Sequence, residues 1–172
     1  ILNLKNVSYR ISASVDLREP VSTGVIACQG GNMGGWSLYL DPTGRPTYLY
    51  NWFGHTLTFL VSDSVLSEGR HDIVVQYTHD GGFGAGGDAV LLIDGVQSAE
   101  GRIPQTVPVI YSMSGETFDV GRDTGSPVGP YPHDFRFSGG IEQVVLERLS
   151  DASAETKSAE RRGQFKASLS SQ

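Results

Sequence analysis

The sequence predicts an all-β fold, an antiparallel two-sheet sandwich of the jelly-roll kind. Three observations point there. Apolar and polar side chains alternate with a period of two through segment after segment, the mark of strands with one buried face. Turn signals rich in Gly, Pro and Asp recur about every eight to twelve residues. No stretch before residue 150 carries helical periodicity, which excludes βαβ units. With roughly ten strands, closure into two layers is the usual way to remove exposed edges.

The strands follow in order. From Ser8 to Val15 the odd positions Tyr9, Ile11, Ala13 and Val15 are apolar and the even ones polar. Gly24 to Gln29 is a short apolar run and reads as a strand buried on both faces. Trp36 to Leu40 closes on Asp41-Pro42-Thr43-Gly44, where Pro presets one φ and Gly supplies a positive one. Thr47 to Trp52 and Thr56 to Val61 flank a turn at Gly54, and Gly69 to Thr78 places Ile73, Val75 and Tyr77 on one face. Asp88 to Ile93 turns at Asp94-Gly95, a hairpin signal, and returns as Val96 to Glu100. Arg102 to Gln105 is predicted to pair at an edge, because Pro104 and Pro108 exclude it from a central strand. Thr117 to Val120 and Arg136 to Leu149, the latter interrupted at Gly139-Gly140, complete the set. Residues 150–172 turn polar and Ala-rich, so the expected organisation is a sandwich domain over 1–149 and a helical or disordered tail over 150–172.

Composition excludes several functions. Thirteen Lys+Arg against 19 Asp+Glu leave a net charge of -6, which opposes a nucleic-acid partner. No apolar run is long enough for a membrane-spanning helix or a signal-peptide core, so no membrane partner is expected, and the localisation is left open. The single cysteine, Cys28, has no internal disulfide partner. The chain opens on Ile1-Leu2-Asn3-Leu4 with no initiator Met, which suggests a mature or excised piece.

Chemistry-bearing motifs are sparse. Gly82-Phe83-Gly84-Ala85-Gly86-Gly87 matches G-x-G-x-x-G, but a strand follows where a phosphate site needs a helix N-terminus, so it reads as a β–β connection. Cys28 lacks the C-x-P/A-x-R frame that sulfatases convert to formylglycine, and it reads as a small buried hydrophobe. His71 and His79 share a strand face but lie about 27 Å apart at ~3.4 Å per residue, so zinc is not expected on the histidines. Asp80, Asp88, Asp119, Asp123 and Asp134 are candidate oxygen ligands for a structural calcium, with ordinary turn roles as the alternative. No other cofactor is expected. Glycosidase chemistry needs two carboxylates facing each other, yet Glu116 and Asp119, three apart, and Glu142 and Glu147, five apart, fall on opposite faces of a regular strand.

One stripe invites a binding role. Tyr48, Tyr50 and Trp52 alternate with Leu49, Asn51 and Phe53, so three large aromatics share a face, with Trp36 and Tyr39 near in sequence. Three readings are open: the row faces the core, docks a partner domain, or stacks on sugar rings. The segment Asp119 to Val128 is a second candidate, a docking loop shaped by Gly121, Gly125 and Pro127 with Asp123, Thr124 and Ser126 as hydrogen-bonding groups; a self-packed turn is its alternative.

Several stretches together resemble a known module. They are Asn3-Leu4-Lys5-Asn6, Gly24 to Gly31 with Gly35 to Tyr39, Pro46 to Gly54, Tyr77 to Gly82, Leu92 to Gly95, Glu116 to Val128 and Phe137 to Val144. The series is similar to the C-terminal region of the long bacterial arylsulfatases, a sandwich of the laminin G and concanavalin A-like type, over about residues 3 to 149. The resemblance implies a parent sulfate ester hydrolase whose N-terminal domain carries the formylglycine and the calcium ligands. It implies no catalytic residue in this chain. The expected role is therefore a non-catalytic accessory domain that packs against, or gates access to, a sulfatase catalytic domain. The alternative is a carbohydrate-binding, lectin-like module, for which sulfated glycans would demand clustered Arg and Lys where this chain scatters them.

Overall fold

The computed structural model describes residues 2–111 and 118–150, so the tail expected over 150–172 falls almost wholly outside the described residues. These form ten strands and no helix: β1 (Tyr9–Leu17), β2 (Gly24–Gly31), β3 (Gly34–Leu40), β4 (Pro46–Trp52), β5 (Thr56–Val61), β6 (Gly69–His79), β7 (Ala85–Ile93), β8 (Val96–Gln105), β9 (Phe118–Val120) and β10 (Gly140–Arg148). Two five-stranded sheets face each other, ordered β10-β1-β6-β7-β8 and β5-β4-β3-β2-β9, and every strand pairing is antiparallel. Val96 to Glu100 and Arg102 to Gln105 are one continuous edge strand, β8, which accommodates Pro104 as expected.

The core lies between the sheets. The odd positions of β1 meet Ile73, Val75, Tyr77 and Leu91 from their own sheet and Ile26, Trp36, Leu38, Tyr48 and Leu60 from the other. Each fully buried Leu or Ile side chain contributes about 1.5–3 kcal/mol relative to exposure. Tyrosine hydroxyls inside are paired: the Tyr9 and Tyr48 hydroxyls bond each other, and Tyr50 Oη accepts from the Val107 N–H at 2.9 Å.

Three bulges reset parity. Register shifts between Val25 and Ala27 on β2, so Ile26 and Ala27 both face the core while Val25 and Cys28 both face outward. A shift opposite Ser14 and Val15 inserts Glu142 into β10, so Ile141, Val144 and Leu146 all pack inward. The third lies in β8, opposite Leu91 and Leu92. Strand β10 starts at Gly140 and not at Arg136; Arg136 instead makes an isolated parallel bridge with Val25.

The β10 bulge changes the expectation for the acids. Glu142 and Glu147 share the outer face, where Glu142 pairs with Arg70 at 2.8 Å and Glu147 with Arg10 at 3.7 Å. They are spaced roughly 14 Å along the strand at ~3.4 Å per residue, beyond the reach of a catalytic carboxylate pair.

Candidate functional site

The aromatic stripe points inward. Trp36 and Tyr48 are fully buried, Tyr50 is nearly so, and Trp52 is half-buried at the edge of the core. The face was open in the sequence, and the opposing β1 and β6 side chains settle it, so Trp36, Tyr48 and Tyr50 offer no surface to a partner or a sugar. Trp36 donates from Nε1 to Gln29 Oε1 at 3.3 Å. Trp52 keeps one side near solvent, where the Phe53 and His55 rings stand edge-on to it at 5.2 and 5.9 Å.

The outer face of the second sheet is where the chain does something less ordinary. Val25, Cys28, Tyr39 and Leu49 form an apolar patch there, and residues 121–138 lie across it. Val128 is buried in the patch, while Tyr131 and Phe135 stack on each other at 5.3 Å and meet the Tyr39 ring at 5.0 and 6.3 Å. Burial, with the Asp41 charge added, pushes the Tyr39 phenol up to about 12. Gly129 sits against Leu49, where an added Cβ would come within 2.3 Å of Cδ2.

The expected loop residues divide between structure and site. Asp119, on β9, accepts the Thr124 N–H and hydroxyl on Oδ2 at 2.9 and 2.8 Å. Ser126 Oγ accepts the Asn32 N–H at 3.1 Å, and Asn51 donates to the carbonyls of Asn32 and Val128. Thr124 and Ser126 therefore spend their polar atoms holding the segment to the sheet, the self-packed alternative. Asp123 is fully buried beneath it. Its Oδ2 accepts from the Val128 N–H at 3.0 Å and the Tyr131 hydroxyl at 2.7 Å; its Oδ1, also buried, has no hydrogen-bond partner. Burial raises the Asp123 carboxyl above its ordinary range, against the lowering effect of those two donors.

Cys28 completes the cluster. The β2 bulge turns its thiol outward, and β9 pairs Asp119 directly opposite it. The ligand atoms of Cys28, Asp119 and Asp123 all lie within 4.8 Å of one another. Burial, then the neighbouring Asp123 and Asp119 charges, hold the thiol far above its usual pKa and so protonated. Of the five aspartates read as candidate calcium ligands, only Asp119 and Asp123 lie in this cluster. Asp80 and Asp88 lie on the other sheet, both bound by the Arg102 guanidinium, which already supplies their positive charge. Asp134 is likewise held, by Arg122 at 2.7 Å and Arg136 at 3.2 Å.

Two features escape sequence reasoning. Ser67, His71 and Asp94 lie in line, with His71 Nδ1 at 2.7 Å from Asp94 Oδ2 and Nε2 at 3.4 Å from Ser67 Oγ. The Ser67 carbonyl is nearer, at 2.8 Å from Nε2, so the ring donates there and leaves the hydroxyl without a base. The line is a clamp between the β5–β6 loop and the β7–β8 hairpin, recognisable only once those elements are neighbours. The second feature is on β5. Leu57, Phe59 and Val61 alternate outward and are each about two-fifths exposed. They pair with Asn51, Leu49 and Thr47, so the row continues the apolar face that 121–138 covers and then leaves open.

Comparison with known proteins settles the fold. The chain superposes on domains LG4-5 of the mouse laminin alpha1 chain with a TM-score of 0.58 and 15% identity, over 88% of this chain and 39% of that one. Domain 4 of an extracellular arabinanase from Geobacillus stearothermophilus, solved in complex with arabinotriose, gives 0.52 and 14%, over 88% of this chain and 66% of that one. The heptameric SAP-like pentraxin of Limulus polyphemus gives 0.50 and 11%, over 86% and 69%. The chain thus spans well under half of the laminin fragment and about two thirds of the other two. No protein-family profile matches the chain, and no curated protein matches it significantly in sequence. The architecture is a laminin G and pentraxin-type, concanavalin A-like β-sandwich; none of these comparisons links it to sulfatases.

Proposed function

We propose that this chain is a non-catalytic accessory domain that packs against a catalytic domain of the same parent protein through the outer face of β5. The observation that carries the proposal is the row Leu57, Phe59 and Val61 on an edge strand, contiguous with the patch at Leu49. Monomeric sandwiches blunt such edges with charge or proline, because an open apolar edge invites association. Here none of the three outward positions is charged. The parent we favour is an arylsulfatase-type hydrolase, on the sequence resemblance over residues 3 to 149; the scattered arginines and the missing C-x-P/A-x-R frame fit a role outside the reaction itself.

Calorimetry of this chain against the catalytic domain encoded in the same reading frame tests it. Saturable binding is expected, weakened at least about tenfold by replacing Leu57 and Phe59 with Ser, since each removes buried apolar area at the contact. Binding unaffected by those changes would remove β5 as the docking face. A reading frame without a sulfatase domain would remove the parent assignment and leave the docking face to be tested on whatever domain is there.

A second reading is a carbohydrate-binding module, favoured by the Trp52, Phe53 and His55 group at the β4–β5 turn, where Phe53 is two-fifths exposed. The arabinanase domain was solved with arabinotriose, and neutral oligosaccharides are accordingly the ligands to titrate first. No heat at millimolar sugar would dispose of it.

A further inference from the structure

We infer that Cys28, Asp119 and Asp123 form a site for one thiophilic divalent cation of the zinc class, buried between the second sheet and the 121–138 segment. The inference is independent of the docking face on β5. Three local features build the site. The bulge at Ile26 carries the Cys28 thiol to the outer face. Pairing of Cys28 with Asp119 sets the first carboxylate beside it. Gly121, at φ +83°, turns the chain after β9 so that Asp123 comes back over the same spot. The three ligand atoms then lie within 4.8 Å of one another, with Cys28 and Asp123 almost wholly buried.

The hydrogen bonds leave one oxygen of each carboxylate uncommitted, and the Cys28 thiol makes only a long contact to the Arg122 carbonyl, at 3.7 Å. Both bonds to Asp119 fall on Oδ2. Asp123 Oδ2 takes the Val128 N–H and the Tyr131 hydroxyl, while the buried Oδ1 has no hydrogen-bond partner. A buried carboxylate oxygen without a partner is costly, and a cation supplies what the protein does not. The outer bonds would hold both carboxylates in place for it.

The donor set selects the metal. Calcium takes six to eight oxygens and magnesium a near-octahedral oxygen shell, whereas two carboxylate oxygens and a sulfur suit zinc or cadmium. This differs from the calcium expected on Asp80, Asp88, Asp119 and Asp123. Binding forms a metal–sulfur bond and breaks the S–H bond, and the proton leaves to solvent, so affinity rises with pH.

The test is a cadmium titration of the full chain, followed by its ultraviolet thiolate-to-cadmium charge-transfer band. The band is expected to saturate at one equivalent, to be displaced by zinc, and to vanish in Cys28→Ala. Zinc is expected to raise the melting temperature where magnesium does not. Asp119→Asn, a half-buried position less exposed to folding failure than Asp123, is expected to weaken cadmium by about tenfold or more. No band at stoichiometric cadmium overturns the inference. So does unchanged affinity in Asp119→Asn, or a calcium-induced rise in melting temperature that persists in Cys28→Ala.

Discussion

The Tyr131 hydroxyl donates to Asp123 Oδ2 across 2.7 Å, while its ring lies edge-on to Tyr39 at 5.0 Å. One side chain thus supplies both the apolar body and the polar latch that fasten residues 121–138 to the sheet. Tyr131→Phe keeps the ring and removes the donor to a buried carboxylate. It should cost about 1–3 kcal/mol in urea unfolding. A variant as stable as the parent would mean that the latch carries no weight.

Asp123 should leave a signature in the pH dependence of stability. Burial raises its folded-state pKa above the unfolded value of ~3.9. Its contribution is therefore fully present below that value and is lost as pH rises through the folded pKa. Asp123→Asn removes this loss. Measured with chelator present, the variant should gain on the parent as pH rises from the acid side toward neutrality; parallel curves would contradict a buried, desolvated carboxyl.

Gly24 tests the crossing of the 121–138 segment. It sits at φ +110°, and an added Cβ would lie 2.1 Å from the Arg136 carbonyl oxygen, next to the Val25–Arg136 bridge. Gly24→Ala should cost about 3 kcal/mol or more, from strain and backbone collision together. Gly81 has a similar φ of +101° with nothing within 4 Å, so Gly81→Ala should cost only the strain, about 1–2 kcal/mol. Equal losses in thermal unfolding would show that the contact is irrelevant.

Asp80 behaves with the opposite sign to Asp123. Its hydrogen bond to the Arg102 guanidinium holds the carboxyl below the ordinary range. The stabilisation is present above the unfolded pKa of ~3.9 and is lost as pH falls through the folded one. Both side chains are substantially exposed, so the pair is worth under about 1 kcal/mol and weakens with salt. Asp80→Asn should flatten the acid limb slightly at low ionic strength and leave it unchanged in molar salt.

Alternation alone was sufficient to locate β1 and much of β6, because a strand with one buried face writes that face into every second residue. It failed where a bulge adds a residue. Ile26 beside Ala27 and Ile141 three before Val144 look like broken patterns, yet both sets face the core once the partner strand's register is known. The same failure hid the Cys28, Asp119 and Asp123 cluster, whose members are 91 and four residues apart in the chain and meet through a bulge, a strand pairing and a glycine turn.

The chain by itself determined its class, an antiparallel sandwich, and the positions of nearly all its strands, since period and turn chemistry are local properties. Only the tertiary structure decided which face of the Tyr48, Tyr50 and Trp52 stripe is buried, and that 121–138 covers Leu49 but stops short of Phe59. The physical reason is that alternation defines two faces without labelling them. The label comes from what packs opposite, and that partner lies far away in sequence.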